Sequence, residues 1–246
     1  MVIYGINSIL ETLRGSPDRV QRLIIDKGKK SPRISEIVAE ARSRRIPFSF
    51  EPSSALDRRA GGEAHQGVMA ELTAFNYADL DEVLGSGPAR IILLDGVEDP
   101  RNLGAVIRTA EASGADAVLI PSRNSCGITG TVMKSSAGAA SHIPVCRVTN
   151  VARTIALLKS RGFWAVGLDM EGREELPGDL AELPLLLIGG GENRGLRPLV
   201  KAHCDFLFRL PMKGKVSSLN LSVAMGILIY SLLGPGAATD HRQGSG

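Results

Sequence analysis

Two arginines in the segment DPRNLGAVIRTA, residues 99–110, lie directly after the apolar run IILLDGV, where a nucleotide-binding protein places its phosphate loop. Arg101 and Arg108 are seven residues apart, so in a helix they project from the same face. A guanidinium there either remains a surface charge or binds a phosphate through two hydrogen bonds. Asn102 has a side chain that caps helix N-termini. The segment lacks both G-x-G-x-x-G and G-K-[ST], which weighs against a dinucleotide or nucleoside triphosphate ligand.

A second segment, IGGGENRGLRPLV, combines successive glycines with a carboxylate. Glycines 189 to 191 follow an apolar run and would let a ligand approach the backbone closely. Glu192 is a poor neighbour for a pyrophosphate and suits a ligand with hydrogen-bond donors or positive charge. The alternative is a plain strand-to-helix turn, in which the helix dipole stabilises the glutamate.

The third segment, RLPMKGKVSSLNLSVAMGILIYSLL, places polar residues at the start of an apolar helix. Ser217 or Ser218 is a candidate helix cap, and Asn220 falls in the first turn. Asparagine is a weak helix former, and a buried amide requires hydrogen-bond partners. We therefore expect a ligand, or the backbone of another segment, to contact Asn220.

All three segments follow strands of an alternating β/α pattern that begins near residue 89. Continuous apolar runs predict strands of a parallel sheet that is covered on both faces. Ligands of such sheets bind beyond the carboxyl ends of the strands, where these loops lie. The strand candidates are IILLDGV, AVLIPS, FWAVGLDM, PLLLIGGG and DFLFRLP, and helices are expected over 103–113, 129–139, 151–160, 196–202 and 219–233.

Residues 1–73 predict a separate small α/β domain, with strands in QRLIID, IPFSF and GVMAEL and helices over 7–13 and 34–44. Residues 74–88, which end in GSGP, are expected to form a linker, and the polar, glycine-rich tail at 236–246 is expected to be disordered. From residue 27 to residue 59, nine lysines and arginines stand against four acids. This excess suits either a phosphate-binding surface or a solvated helix face.

Composition narrows the class of protein. The 246 residues carry a net charge of +3, and 43% of them are hydrophobic, enough for a substantial core. No apolar run reaches the roughly 18 residues of a membrane span, and the N-terminus is typical of an amphipathic helix, not of a signal peptide. Cys126, Cys146 and Cys204 are far apart and odd in number, which favours reduced thiols and a cytoplasmic location. The four histidines do not cluster, so we expect no metal.

Together the three segments resemble the three motifs of the SpoU/TrmH class of RNA 2′-O-ribose methyltransferases. The match is closest to RlmB-type members, which methylate a guanosine of 23S rRNA. The motifs are N-x-G with an arginine six residues beyond the asparagine, G-x-E-x-x-G, and P-M-x-G-x-x-x-S-L-N-x-S-V-A. VIYGINSILETL and HQGVMAEL also resemble the N-terminal substrate-binding domain of this family.

The resemblance implies transfer of a methyl group from S-adenosylmethionine to a ribose 2′-hydroxyl of 23S rRNA, either free or in a pre-ribosomal particle. It also implies a knotted (trefoil) methyltransferase domain over 89–235 and a homodimer whose active site is shared across the interface. Catalytic roles are implied for Asn102, Arg108, Glu192, Ser218 and Asn220, and cofactor contacts for Gly190, Leu210, Leu219, Gly167, Leu168 and Met212. RNA contacts are expected from Arg101, Lys27, Lys29, Lys30, Arg42, Arg44 and Arg45.

Aromatic residues make up only 4% of the chain, so few stacking platforms are expected, and RNA affinity should depend on phosphate contacts and fall with salt. Three alternatives remain open. The first is a tRNA methyltransferase of the same class. The second is a non-catalytic RNA-binding or ribosome-assembly protein on this fold. The third is a nucleotide-dependent dehydrogenase, which the missing G-x-G-x-x-G disfavours.

Overall fold

The structure is a computed structural model that describes residues 1–62, 64–87, 89–177, 180, 183–192, 194–216 and 218–234. It consists of two compact units. The first unit contains residues 1–76 together with 127–142, and the second contains 77–126 together with the chain from 143 onward. The tail at 236–246, which we expected to be disordered, lies outside the described residues.

The first unit is built on a four-stranded sheet in the order β1-β4-β2-β3. Strand β4 is antiparallel to β1 and β2, and the edge strand β3 is parallel to β2. Helix α2 begins with Pro32 in its first position, and the Ser31 Oγ caps it by accepting from the Ile34 N–H at 3.2 Å. The elements are β1 (Val2–Tyr4), α1 (Ile6–Gly15), β2 (Val20–Asp26), α2 (Pro32–Ser43), β3 (Phe48–Glu51), α3 (Ser53–Ala60), β4 (Val68–Leu72) and α6 (Gly130–Ser135).

The helix expected over 129–139 forms only as the short α6, and it packs in the first unit against β1 and α1. A Cβ on Gly130 would overlap the carbonyl of Val2, and one on Gly138 would overlap the Glu11 side chain. Ala137 (φ +52°) and Gly138 (φ +91°) are both left-handed, so α6 cannot continue through them, and only a short 3-10 turn follows at Ala139–Ser141. These glycines let the segment 127–142 pack closely, a contact that local sequence patterns do not reveal.

The second unit contains a six-stranded sheet, entirely parallel, in the order β10-β8-β9-β5-β6-β7. Nearly every residue of β5, β6 and β9 is buried, as expected for a sheet covered on both faces. The predicted α/β class is therefore confirmed, whereas the trefoil knot stays a prediction. The elements are α4 (Leu80–Gly85), β5 (Arg90–Asp95), α5 (Pro100–Ala112), β6 (Ala117–Pro121), β7 (Val145–Val148), α7 (Val151–Ser160), β8 (Trp164–Arg173), β9 (Leu185–Gly190), α8 (Pro198–His203), β10 (Phe206–Phe208) and α9 (Leu221–Leu233).

Much of the segment expected to be a linker is folded. Asp79 caps α4 by accepting from two backbone N–H groups, and Val83 and Leu84 are buried in the core of the second unit. Ala78 forms a bridge with Cys146 of β7. In the sequence, the apolar pair Val83 and Leu84 within DEVLG indicated a buried helix. The nearby glycines made the whole segment look like a linker instead.

The three cysteines are free thiols. Burial raises the pKa of Cys126 and Cys146 to about 11 and that of Cys204 to about 12, so all three are protonated at neutral pH. Within the described ranges, no helix is both long and apolar enough to cross a membrane. The same residues contain no group of three or more histidine, cysteine or acidic side chains that could hold a metal ion.

Candidate active site

A cavity of about 400 Å³ opens at the carboxyl ends of the neighbouring strands β10, β8 and β9. The ends of these strands, the loop after β9 and the start of α9 form its walls. It is lined by five of the six residues proposed to bind a cofactor, together with two proposed catalytic residues. These are Leu168, Gly190, Leu210, Met212 and Leu219, with Glu192 and Ser218.

The glycines at the end of β9 are required by contacts within the chain. A Cβ on Gly190 would overlap the backbone of Gly195 and Leu196, because the loop after β9 folds back on the strand end. Gly191 and Gly195 donate to each other's carbonyls at 3.1 Å. A Cβ on Gly189 would lie 2.7 Å from the sulfur of Met225 in α9. Because these glycines have no side chain, the loop after β9 and helix α9 pack directly against the end of β9. Together they form part of the cavity wall.

Gly167 is the one proposed cofactor residue that does not line this cavity. A Cβ at this position would lie 2.7 Å from the sulfur of Cys204 and from a methyl carbon of Leu196. The glycine thus permits close packing of β8 against its neighbours.

Three of the proposed catalytic side chains form one chain of hydrogen bonds. The Asn220 Nδ2 donates to Asn102 Oδ1 at 3.0 Å, and the Asn102 Nδ2 donates to Glu192 Oε1 at 3.0 Å. The carboxylate of Glu192 also accepts from the backbone N–H groups of Glu98 and Asp99, each at 3.2 Å. The three sequence segments therefore meet at one point, joined by asparagine and glutamate side chains.

The capping roles differ from those expected. Asp99, not Asn102, caps α5, because its Oδ1 accepts from the Arg101 N–H at 2.7 Å and Pro100 fills the first helical position. Asn102 is buried at the third position of the helix. Asn220 is itself the cap of α9, and its Oδ1 accepts from the Ser222 N–H at 2.8 Å. Of the two serines proposed for that cap, Ser218 lines the cavity and Ser217 lies outside the described residues.

Glu192 is held in its ionised form. Burial alone would raise its pKa, but hydrogen bonds from the Asn102 amide and from nearby backbone N–H groups outweigh this effect, so its pKa lies below the usual value. Because a carboxylate only accepts, the Asn102 amide nitrogen must face it, and the Asn102 oxygen must face Asn220. The charge on Glu192 thus sets the orientation of both asparagines.

Arg101 and Arg108 lie on the exposed face of α5. Their side chains form no ion pair or hydrogen bond with any residue that the structure describes, and neither lines the cavity. Helix α5 packs against α9, whose outer face carries Val223, Ile227 and Tyr230, each 42–50% exposed. Arg108 therefore stands apart from the other proposed catalytic residues of its own chain.

The cavity also contains charged residues that the motifs did not indicate. The Lys201 Nζ lies 2.9 Å from Asp169 Oδ1 and 3.1 Å from Glu171 Oε1, and Arg194 and Arg209 complete the charged part of the lining. Asp169 and Glu171 directly follow the apolar part of β8. Polar residues at that end of a parallel strand are the signal that could have identified them.

Six of the seven basic residues proposed to bind RNA lie in the first unit, and they divide into two groups. Lys27, Lys29, Lys30 and Arg42 line a single groove in the first unit. Arg44 instead forms an ion pair with Glu40 at 2.9 Å. Arg45, which follows α2, is exposed and has φ +56°.

Each of the two units matches the model of a known protein family. Residues 89–230 match the model of the SpoU rRNA Methylase family, and residues 2–78 match the model for RNA 2′-O ribose methyltransferase substrate binding. The chain is 42% identical over 236 residues to the 23S rRNA (guanosine-2′-O-)-methyltransferase RlmB of Pseudomonas syringae pv. tomato, with 94% of each chain covered. It is 41% identical over 235 residues to YacO of Bacillus subtilis, named for the TrmH family of tRNA/rRNA methyltransferases, again with 94% of each covered.

Solved structures share the fold. The SpoU methyltransferase AviRb from Streptomyces viridochromogenes, in complex with AdoMet, is 23% identical with a TM-score of 0.77, covering 95% of this chain and 89% of that one. An AdoMet-bound rRNA methyltransferase from Sinorhizobium meliloti is 22% identical with a TM-score of 0.77, covering 94% of this chain and 85% of that one.

Proposed function

The chain belongs to the SpoU rRNA methylase family, and we propose that it transfers a methyl group from S-adenosylmethionine to the ribose 2′-hydroxyl of a guanosine in 23S rRNA. The observation that carries this proposal is the cavity at the carboxyl ends of β8 to β10, next to the hydrogen-bonded chain of Asn220, Asn102 and Glu192. The Pseudomonas relative, whose name states this reaction, is similar over nearly the whole chain.

The cavity fits the cofactor. S-adenosylmethionine, when bound, supplies a methyl group that its sulfonium makes electrophilic. Leucines 168, 210 and 219 offer an apolar surface for the adenine, and the glycine-rich strand end brings backbone close to it. Three acids and three bases line the remainder, which suits a ligand that carries an ammonium, a carboxylate and a sulfonium. They are Asp169, Glu171 and Glu192, and Arg194, Lys201 and Arg209.

Arg108 is the residue that we assign to the ribose. A guanidinium has a pKa above about 12, so Arg108 acts as a donor and not as a general base. It contacts the target phosphate and the 2′-oxygen, and it stabilises the alkoxide that develops as the hydroxyl proton leaves to phosphate or water. Asn102, Glu192 and Asn220 hold the surrounding loops in place.

We assign the protein a homodimeric state in which Arg108 of one protomer serves the cavity of its partner. Two features of the chain support this assignment. Arg108 does not line the cavity of its own chain, and α9 exposes the apolar stripe of Val223, Ile227 and Tyr230 beside α5. Burial of that stripe against a second copy would give a self-complementary, two-fold interface. The proposed function also includes RNA as the substrate and the cytoplasm as the location.

The activity is tested by methyl transfer to 23S rRNA from cells that lack the gene, with tRNA as the competing substrate, followed by mapping of 2′-O-methyl groups. Arg108→Ala should lower the single-turnover rate at least about 100-fold, the scale of losing one preorganised electrostatic contact, while the Kd for the cofactor stays unchanged. A nearly normal rate would remove Arg108 from the mechanism. If only tRNA is methylated, the substrate is tRNA and not 23S rRNA.

The shared site is tested by mixing two inactive proteins, Arg108→Ala and Gly190→Ala. A mixed dimer has one site with an intact cavity and an intact arginine from the partner. After subunit exchange, equal amounts should recover about a quarter of the wild-type activity, since about half of the dimers are mixed and each has one working site. If no activity returns although exchange is complete, each chain uses its own Arg108.

A further inference from the structure

The first unit contains a groove of about 410 Å³ between helix α2 and the edge strand β3. Its floor is apolar and consists of Ile34 and Val38 from one face of α2 and the ring of Phe50 from β3. Its rim is cationic. The rim residues are Lys27, Lys29 and Lys30 from the loop after β2, and Arg42 from the end of α2.

Phe50 presents an open aromatic surface in this groove, with 55% of the residue exposed. Phe48 lies two positions earlier and points to the same face of the strand. The two rings are 5.8 Å apart and meet edge to face at 89°, and the Arg42 guanidinium lies 5.7 Å from the centre of the Phe48 ring. Phe50 is therefore supported from one side, while the remainder of its ring is free to stack on another planar group.

The positive charge of the rim exceeds the negative charge of the groove lining, which has four cations and one acid. Each acid between residues 27 and 59 has a partner elsewhere: Glu36 with Arg14, Glu40 with Arg44, Glu51 with Arg59 and Asp57 with His65, at 2.8–3.1 Å. The one acid in the groove lining, Asp26, accepts from the Gly28 N–H at 2.8 Å. Among the described residues, the four rim cations form no ion pair. The groove therefore attracts an anion.

We propose that this groove binds an unpaired RNA nucleotide, with its base stacked on Phe50 and its flanking phosphates on the cationic rim. A planar apolar group joined to closely spaced negative charges is the ligand that fits both the floor and the rim. Bases in a duplex are stacked on each other and cannot present a face to Phe50, whereas bases in single-stranded loops can. The identity of the polymer rests on the proposed function, and the inference adds where and in which form the RNA is held.

The stacking is tested by fluorescence in the full chain. The protein has one tryptophan, Trp164, so Phe50→Trp combined with Trp164→Phe leaves a single reporter in the groove. A single-stranded oligoribonucleotide of about ten nucleotides, within the usual site size for such proteins, should quench it with a saturable titration. The wild-type protein, which reports from Trp164 alone, should not be quenched. Binding without quenching, or equal quenching by a duplex of the same sequence, would overturn the proposal.

Affinity provides the second measurement. Phe50→Ala should raise the Kd for the same oligoribonucleotide about tenfold, the scale of losing one base–aromatic stack, and Phe50→Tyr should keep the Kd within about twofold of the wild-type value. Leu199→Ala, at an apolar residue of the second unit that is 63% exposed, is the matched control and should leave the Kd unchanged. An equal loss in Phe50→Ala and Leu199→Ala, or no loss in either, would reject the stacking role.

The two proposals fail separately. Phe50→Ala should raise the KM for 23S rRNA and leave kcat and the cofactor Kd unchanged, because the groove positions RNA and contacts no reacting atom. If the wild-type enzyme transfers no methyl group to 23S rRNA, the proposed function is wrong, yet the oligonucleotide titrations still report on the groove. If methyl transfer proceeds but the titrations show no role for Phe50, the groove proposal alone is wrong.

Discussion

The cavity of the second unit and the groove of the first are nearly equal in volume, about 400 and 410 Å³, yet they differ in charge. Three acids and three bases line the cavity, and a glycine-rich strand end forms part of its wall. Among the residues that the structure describes, the four cations of the groove form no ion pair, and its single acid accepts a hydrogen bond from a backbone N–H. The difference indicates that charge balance separates a site for a small zwitterionic cofactor from a site for a polyanion.

The largest effect that would separate the two sites is expected from Gly190→Ala. The added methyl would overlap the backbone of Gly195 and Leu196, which cannot move without opening the cavity wall. We expect the cofactor Kd, measured by calorimetry, to rise at least about 100-fold, while the oligonucleotide Kd stays unchanged. Gly85→Ala, at the end of α4 and outside both sites, is the matched control, because a Cβ there meets no described residue within 4 Å. Equal loss at both sites would show that the two do not function independently.

A smaller effect is expected from ionic strength. Binding that neutralises four phosphates of a single strand should weaken about 50-fold between about 50 and about 200 mM salt, because the slope is about −0.7 per phosphate in a log–log plot. Lys30→Gln should reduce that slope by about 0.7. Arg22→Gln removes the same charge from a residue paired with Glu71 outside the groove, and should leave the slope unchanged. Cofactor affinity should be nearly independent of salt, and a steep dependence there would contradict the comparison.

The hydrogen-bonded chain beside the cavity was partly predictable from the sequence, because its residue types have few other uses in such places, whereas the cofactor residues of the cavity were proposed only through the family resemblance. An asparagine that opens an apolar helix and a glutamate after three glycines both required partners, and the structure shows that Asn220 and Glu192 meet through Asn102. The expected cap at Asn102 was wrong because Asp-Pro at 99–100 is the stronger start signal.

The groove was only half predictable. The excess of lysine and arginine was visible in the sequence, but the stacking surface was not, because a phenylalanine in a β-strand pattern is normally expected to face a core. Phe50 is exposed because β3 is the edge strand, and strand order is a tertiary property. The packing of segment 127–142 into the first unit was likewise invisible, since it depends on contacts between residues more than 100 positions apart, such as Ser8 with Met133.

Asn102→Asp should weaken cofactor binding by about tenfold. It places a second carboxylate oxygen about 3.0 Å from Glu192 Oε1, where the amide nitrogen now donates, and like charges at that distance repel. Calorimetry at neutral pH measures the effect. Asn150→Asp is the control, because the N-cap of α7 keeps its acceptor for the Arg153 N–H. If Asn102→Asp binds cofactor normally, the hydrogen-bonded chain does not support the cavity.

The smallest effect concerns the pH dependence of stability. The folded pKa of Glu192 is below its ordinary 4.5, so this group stabilises the fold above that value and loses its contribution as pH falls through the folded pKa. Glu192→Gln cannot ionise, and its amide meets the N–H of Glu98 or Asp99 where an oxygen accepted before. Thermal unfolding should therefore show the wild type more stable at pH 7, by a few degrees at most, with the gap closing below about pH 4.5. A gap that stays constant as the pH falls well below 4.5 would mean that the carboxylate charge does not hold the three loops together. The contrast between a charge-balanced cavity and a cationic groove would then rest on the groove alone.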